Sequence, residues 1–455
     1  MPRRFWIETL GCPKNQVDSE KLAGTLASEG YEAAASPGRA DLVVVNTCAF
    51  IDEARQESVD TILALSERRK AGAEVVVTGC LAQRHGDELA AAIPEVSVRG
   101  FGVSVAAGAS LAPPGVPVLL GATRGRGTTA GRGGTADAAT VPSFDLLNLP
   151  RPRSARPWAY VKIAEGCDRA CGFCAIPSFR GPQRSRAMAS VLDEVDALGV
   201  REVVLVAQDL ASYGRDQGVG EKQLVELVEA VAARVDRVRL LYLYPSELTD
   251  KLVETVGATG VPYFDLSLQH VARPLLRRMR RWGSGEQFLA RIEQIRERFP
   301  EAAFRSNFIV GYPGETEAHH DELLTFVEAA QLDWCGFFAY SPEPGTYATT
   351  LDGAVERSLV DERLAELRAR QDEITAQRRD ALIGSQIEVL VDEPGVARGH
   401  REAPEIDGVV AVPDSLAPGT ITTVRVVDAQ GPDLVAELVT PAGAVRARGR
   451  DEERR

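Results

Sequence analysis

The chain has 455 residues, 44% of them apolar and 26% charged, enough for about two to four ordinary globular domains. Its formal charge of −13 argues against a broad basic surface for nucleic acid, and no uninterrupted apolar run reaches the length of about 18 residues that a membrane span needs. The opening MPRRFWIETLGC runs straight into a strand-like segment rather than a secretory leader, so the expectation is a cytoplasmic protein with reduced thiols. Seven cysteines in that setting point to metal or catalysis more than to disulfides.

In chain order, RFWIETLGC predicts a strand and VDSEKLAGTLASEG a helix ending at Gly30. DLVVVNTC is a second strand, followed by a helical pattern through Lys70, and EVVVTGC is a third. Apolar β-branched runs separated by helices predict a parallel sheet covered on both faces. This N-terminal α/β domain is assigned to residues 1–119. The stretch GATRGRGTTAGRGGTADAAT has almost nothing to bury, and residues 120–152 read as a flexible linker or surface insertion.

From Trp158 the alternation resumes. AYVKIAEGC, EVVLVAQDL, RLLYLYP, YFDLSLQH, FRSNFIVGYPG and WCGFFAYSP are strand candidates, with amphipathic segments such as GEQFLARIEQIRERF between them. Six βα units predict an open, partial (β/α)6 barrel over residues 153–383, ending in a long charged helix over Val355 to Leu382. After Gly384 short strands take over, and residues 384–455 read as a small five-stranded β-barrel. The fold class is therefore α/β with a C-terminal all-β module.

The segment EGCDRACGFCAIPSFRG places Cys167, Cys171 and Cys174 within eight residues. Three thiolates can hold three corners of a [4Fe–4S] cluster and leave the fourth iron open. A structural zinc site asks for four ligands, and neither a second CxxC pair nor a nearby His is present. Cys12, Cys48 and Cys80 close the motifs TLGC, VNTC and VTGC, each just after an apolar strand. The C-terminal ends of parallel strands gather on one sheet edge, so these three can converge on one site. The competing reading is three small buried core residues, which is how Cys335 in DWCGFFAY is read. Gln208, Asp209, Ser267 and Gln269 fall at strand ends in the barrel, where such folds bind ligands; Gln208, Ser267 and Gln269 are candidates for a cofactor pocket, against plain strand-end packing.

The CxxxCxxC motif at the end of the first barrel strand resembles the radical S-adenosylmethionine superfamily. The resemblance implies that the methionine moiety of S-adenosylmethionine chelates the open iron. One electron then breaks the S–C5′ bond, and the 5′-deoxyadenosyl radical takes hydrogen from an unactivated C–H bond. A three-cysteine N-terminal domain, this core and a TRAM-like barrel together resemble the methylthiotransferases. That family implies a second [4Fe–4S] cluster on Cys12, Cys48 and Cys80, two [4Fe–4S] clusters in all. It also implies one S-adenosylmethionine for the methyl group, a second for the radical, and an electron donor such as flavodoxin or ferredoxin. The net change is C–H to C–S–CH₃.

LGCPKNQVDSE, CAIPSFRGPQRSR, GFFAYSPEPGT and EAPEIDGVV are similar to the subgroup that modifies the β-carbon of one aspartate of ribosomal protein uS12. The alternative subgroup, acting on transfer-RNA adenosine, reads closer to G-C-Q-M-N after the first cysteine. Gln16 and Ser267 depart from the ribosomal pattern, which often has an apolar residue and a proline there. Residues 384–455 hold 8 Arg, no Lys and 13 acidic residues, a formal charge of −5. A barrel gripping RNA phosphates should be basic, whereas an acidic one attracts a basic ribosomal protein. Glu402, Glu405 and Asp407 are candidate contacts, and direct nucleic-acid binding is not expected to dominate.

Overall fold

The computed structural model describes residues 2–106, 145–218 and 222–439. The N-terminal domain is a five-stranded parallel sheet of order β2-β1-β3-β4-β5, built from β1 (Arg4–Thr9), β2 (Glu32–Ala33), β3 (Leu42–Thr47), β4 (Glu74–Gly79) and β5 (Ser97–Val98). Its helices are α1 (Pro13–Ser28), α2 (Asp52–Arg68) and α3 (Cys80–Ala92). β3 is buried along its whole length, as a central strand covered on both faces must be. The two-residue edge strands β2 and β5 carry no run of apolar residues, and only their pairing defines them.

The 120–152 segment lies outside the described residues as far as 144. Its end is not loose. Leu147 is buried, and the buried Lys21 ammonium of α1 donates to its carbonyl at 2.7 Å. Arg151 is paired with Glu20 and Glu194.

The central domain opens with β6 (Trp158–Lys162). A short antiparallel hairpin of β7 (Ala164–Glu165) and β8 (Arg184–Ser185) follows, with α4 (Ile176–Arg180) between its arms. Then come α5 (Met188–Leu198), β9 (Glu202–Val206), α6 (Lys222–Ala232), β10 (Arg237–Leu240) and α7 (Asp250–Gly257). The second half holds β11 (Tyr263–Gln269), α8 (Arg273–Arg278), α9 (Gly285–Arg298), β12 (Ala303–Val310), α10 (Glu317–Ala330), β13 (Trp334–Ala339) and α11 (Arg357–Asp380). Start signals are explicit: Ser284 caps α9, and a Thr316–His319 capping box opens α10. The six long strands are parallel in two runs, β6-β9-β10 and β11-β12-β13, joined by one bridge between Leu243 and Leu266. The result is six strands in chain order, an open partial barrel as the βα count requires.

Strand periodicity sorts the two faces. Val161, Val203, Leu205, Leu240, Phe264 and Phe304 pack outward in one apolar core with the helices. Trp158, Tyr160, Val204, Val206, Leu241 and Tyr263 form a second core inside the barrel. That inner core is completed by Val17 of α1 and by Ala403 from the C-terminal module. Both flanking domains are thus seated in the barrel.

The C-terminal module is a closed five-stranded barrel of order β14-β15-β16-β18-β17, from β14 (Gln386–Glu393), β15 (Val396–Arg398), β16 (Val410–Ala411), β17 (Ile421–Gln430) and β18 (Asp433–Leu438). Two of the three acids expected on its outer face are not there. Glu402 is 1% exposed and paired with Arg379 of α11 at 2.5 Å. The Asp407 carboxylate is buried, accepting from the Tyr263 hydroxyl at 2.6 Å and facing Arg305 at 3.3 Å. They fasten the module to the large barrel, because an ion brought out of water needs a counter-ion. Glu405 stays partly exposed and pairs with Arg156.

Candidate functional site

Three βα turns of the N-terminal sheet place Cys12, Cys48 and Cys80 at one edge. Cys12 is the extended residue just before α1, and Pro13 starts the helix. Cys48 directly follows β3, and Cys80 is the first residue of α3 after β4. Gly11 has φ +90°, and a Cβ there would lie 2.7 Å from Cys48 Cβ and 2.9 Å from its Sγ. No other side chain fits where these two loops meet. Asn15, fully buried, ties the loops by donating to the carbonyls of Leu10 at 2.9 Å and Thr47 at 3.1 Å.

The thiols sense one another. Burial pushes Cys48 up to about 12, with Cys12 and Cys80 adding to the shift. Burial also raises Cys80, opposed by the Arg180 guanidinium. At Cys12 burial is outweighed by Lys14, Arg180 and the backbone N–H groups of Asn15 and Lys14, and the thiol falls below its usual value. Buried thiols crowded in this way are relieved when a metal takes the place of their protons.

Cys167, Cys171 and Cys174 lie on the loop inside the β7–β8 hairpin. The Cys167 amide donates to the Gly181 carbonyl at 3.1 Å, and the Gly172 amide to that of Met279 at 2.8 Å, which fixes the loop over the C-terminal ends of the strands. Their sulfurs are met by donors: the Arg169 amide lies 3.4 Å from Cys167 Sγ, and Arg281 Nη1 lies 3.4 Å from Cys171 Sγ. Both guanidiniums stack on Tyr244, at 3.9 and 4.0 Å from its ring centre. Asp209, buried, accepts from Arg169 Nε at 2.6 Å and from the Ser212 hydroxyl at 2.6 Å. Burial raises Cys167 to about 11 and Cys174 to about 12.

The barrel mouth holds polar atoms without partners among the described residues. Gln208 donates to Glu165 at 2.7 Å, but its Oε1 is unpaired. So are Asp209 Oδ1, Arg281 Nε and Asn307 Oδ1, the last on β12. Asn307 has room only because its neighbour on β13 is Gly336, where a Cβ would sit 2.5 Å from Asn307 Oδ1. Orphaned acceptors and donors of this kind suit a polar ligand. The Ser267 carbonyl accepts from Arg281. Gln269 has φ +73° after a register shift in β11, and Tyr242, just past β10, has φ +67°. Of the three sequence candidates here, Gln208 alone is tied by its side chain to the cysteine hairpin.

Sequence reading missed Arg169, Arg281, Tyr244, Asn307 and the Arg180–Glu165 pair. Arg169 and Arg180 stand inside and just beyond the cysteine motif, a position that could have drawn notice. Asn307 is a polar residue on the inward parity of an otherwise apolar strand, which is also a readable signal.

Among the described residues no three His, Cys, Asp or Glu converge as they would around a single ion. A four-iron cluster spreads its thiolates over separate irons and does not ask for that convergence. The donor sets fit such clusters: three thiols at each site, no fourth protein ligand among the described residues, and N–H donors beside the sulfurs.

Three family models match the chain. Residues 4–100 match the uncharacterized protein family UPF0004, residues 161–327 the radical SAM superfamily, and residues 383–439 the TRAM domain. The ribosomal protein uS12 methylthiotransferase RimO of Saccharopolyspora erythraea is 43% identical over 98% of this chain and 96% of its own length. The protein of the same name from Cutibacterium acnes is 41% identical over 96% of this chain and 98% of its own. That of Moorella thermoacetica is 40% identical over 93% and 96%.

Proposed function

Because this chain belongs to the ribosomal protein uS12 methylthiotransferase family, we propose that it inserts sulfur and a methyl group at the β-carbon of one aspartate of uS12, giving 3-methylthioaspartate. It is a radical S-adenosylmethionine enzyme. Cys167, Cys171 and Cys174 hold the [4Fe–4S] cluster that binds S-adenosylmethionine, and Cys12, Cys48 and Cys80 hold a second one. When bound, the first cluster and S-adenosylmethionine supply a radical able to take hydrogen from a carbon that no side-chain base can deprotonate.

The protein's own residues position and shield. Arg169 and Arg281 clamp the cysteine loop and lend N–H groups to its sulfurs. Gln208, Ser267 and Gln269, each at the C-terminal end of a barrel strand, line the cofactor pocket. The observation that carries the reading is the meeting of two three-cysteine edges. Ala175, the residue between Cys174 and α4, and Phe179 of α4 are buried in the same apolar core as Cys80. Carbon activation and sulfur supply therefore face one another across a single domain boundary. The described outer surface of the small barrel exposes Glu388, Glu393, Glu405, Asp414, Asp428 and Glu437, with Arg425 its only exposed arginine. That surface attracts a basic ribosomal protein and repels RNA phosphate. Reducing equivalents come from a one-electron donor of the flavodoxin or ferredoxin type, and the substrate places the enzyme in the cytoplasm.

Mass spectrometry of uS12 from parent and deletion strains tests the assignment. The methylthio group is expected in the parent and missing in the mutant. Its persistence in the mutant, or loss of 2-methylthioadenosine from tRNA instead, overturns it.

A further inference from the structure

We propose that Arg180 is a positioning residue that couples the two cysteine sites, setting the charge beside Cys80 while gripping the glutamate that fixes Gln208 at the barrel mouth. The inference rests on the two-cluster reading above.

Arg180 ends α4, and its side chain is 4% exposed. Nη2 donates to Cys80 Sγ at 3.0 Å and to Asn15 Oδ1 at 3.0 Å. Nη1 donates to both Glu165 oxygens at 2.9 and 3.0 Å, and meets Asp18 at 3.4 Å. The guanidinium also lies 4.4 Å from the Phe101 ring centre. One residue from the barrel half thus touches a candidate ligand of the N-terminal cluster, the loop that shapes that site, and the hairpin that carries the other three cysteines.

Charge explains why an arginine is needed. Lys162, Arg180, Asp18 and Glu165 form a buried set of two cations and two anions, with Lys162 paired to both acids. These four cancel. A thiolate at Cys80 is a fifth charge, and the guanidinium is the cation placed against it. A cationic donor on a cluster sulfur favours the reduced, more negative cluster and so raises its potential. Glu165 also accepts from Gln208 at 2.7 Å. A ligand that takes up Gln208 therefore changes the hold of Glu165 on Arg180, and with it the donation to Cys80. Such coupling is reciprocal between the two sites.

The test uses the full chain with Cys167, Cys171 and Cys174 replaced by alanine, reconstituted without oxygen so that only the N-terminal site loads. Its midpoint potential is read by redox titration with electron paramagnetic resonance. R180Q is expected to shift the potential to more negative values, R180K to keep most of it, and E165Q to shift it the opposite way. In the chain with all six cysteines, S-adenosylmethionine is expected to move the N-terminal potential, and to move it less in E165Q. Equal potentials in the R180Q, R180K and parent chains at equal iron content overturn the proposal, as do shifts of one sign in R180Q and E165Q. Should R180Q fail to load iron, R180K and E165Q decide by the same signs. A six-cysteine chain that takes up about four irons rather than about eight refutes the two-cluster reading itself.

Discussion

Gly11→Ala separates two costs that usually arrive together. Gly11 has φ +90°, a region L-residues avoid at about 1–2 kcal/mol. The new methyl would also lie 2.7 Å from Cys48 Cβ, where carbon pairs rest at about 3.5–4.0 Å. The two loops must part by roughly 1 Å, and such overpacking costs about 1–3 kcal/mol. Gly30→Ala is the control. Gly30 has φ +86° and nothing within 4 Å of its added Cβ, so it carries the backbone cost alone. The difference between the two variants is then the crowding at the cysteine edge, about 1–3 kcal/mol. Hydrogen exchange read by mass spectrometry on peptides from β1, β3 and α1 gives the local opening free energy. Iron analysis after anaerobic reconstitution gives the chemical consequence: Gly11→Ala is expected to lose the N-terminal cluster and keep the barrel one, and Gly30→Ala to keep both. Equal loss of protection in the two variants, with equal iron, refutes the claim that Gly11 packs the Cys12 and Cys48 loops together.

Other outcomes follow from the same coordinates. Glu202→Gln leaves the buried Arg239 and Arg398 without their shared carboxylate and is expected to cost about 3–5 kcal/mol, seen as earlier proteolytic release of the C-terminal barrel. Burial above all, with smaller contributions from the neighbouring His319, His320 and Arg363, depresses His270 to about 3. The unfolded chain takes up this proton below about 6.5 while the fold does not, so stability falls by about 1.4 kcal/mol per unit as the pH drops from about 6.5 toward about 3. His270→Asn, which can still accept from the Ala272 amide, is expected to flatten that slope in denaturant titrations between pH 6.5 and 5. Cys335→Ser should leave iron content unchanged, since that thiol, pushed upward by burial, sits on β13 beside Ser306 of β12 and against the large apolar core rather than on either cysteine loop. Reversing Glu393, Asp414 and Asp428 to lysine should slow association with uS12 and weaken its salt dependence in stopped-flow.

The placement of the cysteines was legible because it is local. Each of Cys12, Cys48 and Cys80 follows a β-branched run, and a parallel sheet collects such positions at one edge without further information. The six barrel strands were legible for the same reason, including their open form. Edge strands β2 and β5 were not, since two residues carry no periodicity. Acidic residues gave the clearest misreading. Glu402 and Asp407 look like Glu405 in the sequence EAPEID, yet two are buried against Arg379 and Arg305 and one is not. Local composition reports charge; only the docking of two domains decides which charges are desolvated.

That docking also explains why arginines were the residues missed. Buried ion pairs seldom add net stability, because the loss of water nearly cancels the attraction. The attraction between domains therefore comes from apolar contacts such as Val17 and Ala403 in the inner barrel core. The ions do something else. Lys162 with Asp18, Arg398 with Glu202, and Arg379 with Glu402 each join residues of different domains in fully buried pairs. A shifted docking angle would leave each of them as an unpaired buried charge, at a cost of several kcal/mol per ion. The apolar contacts hold the three domains together, and the ion pairs admit one arrangement. Two cysteine edges, on separate domains and 87 residues apart at their nearest in Cys80 and Cys167, can share one reaction only if that arrangement is unique.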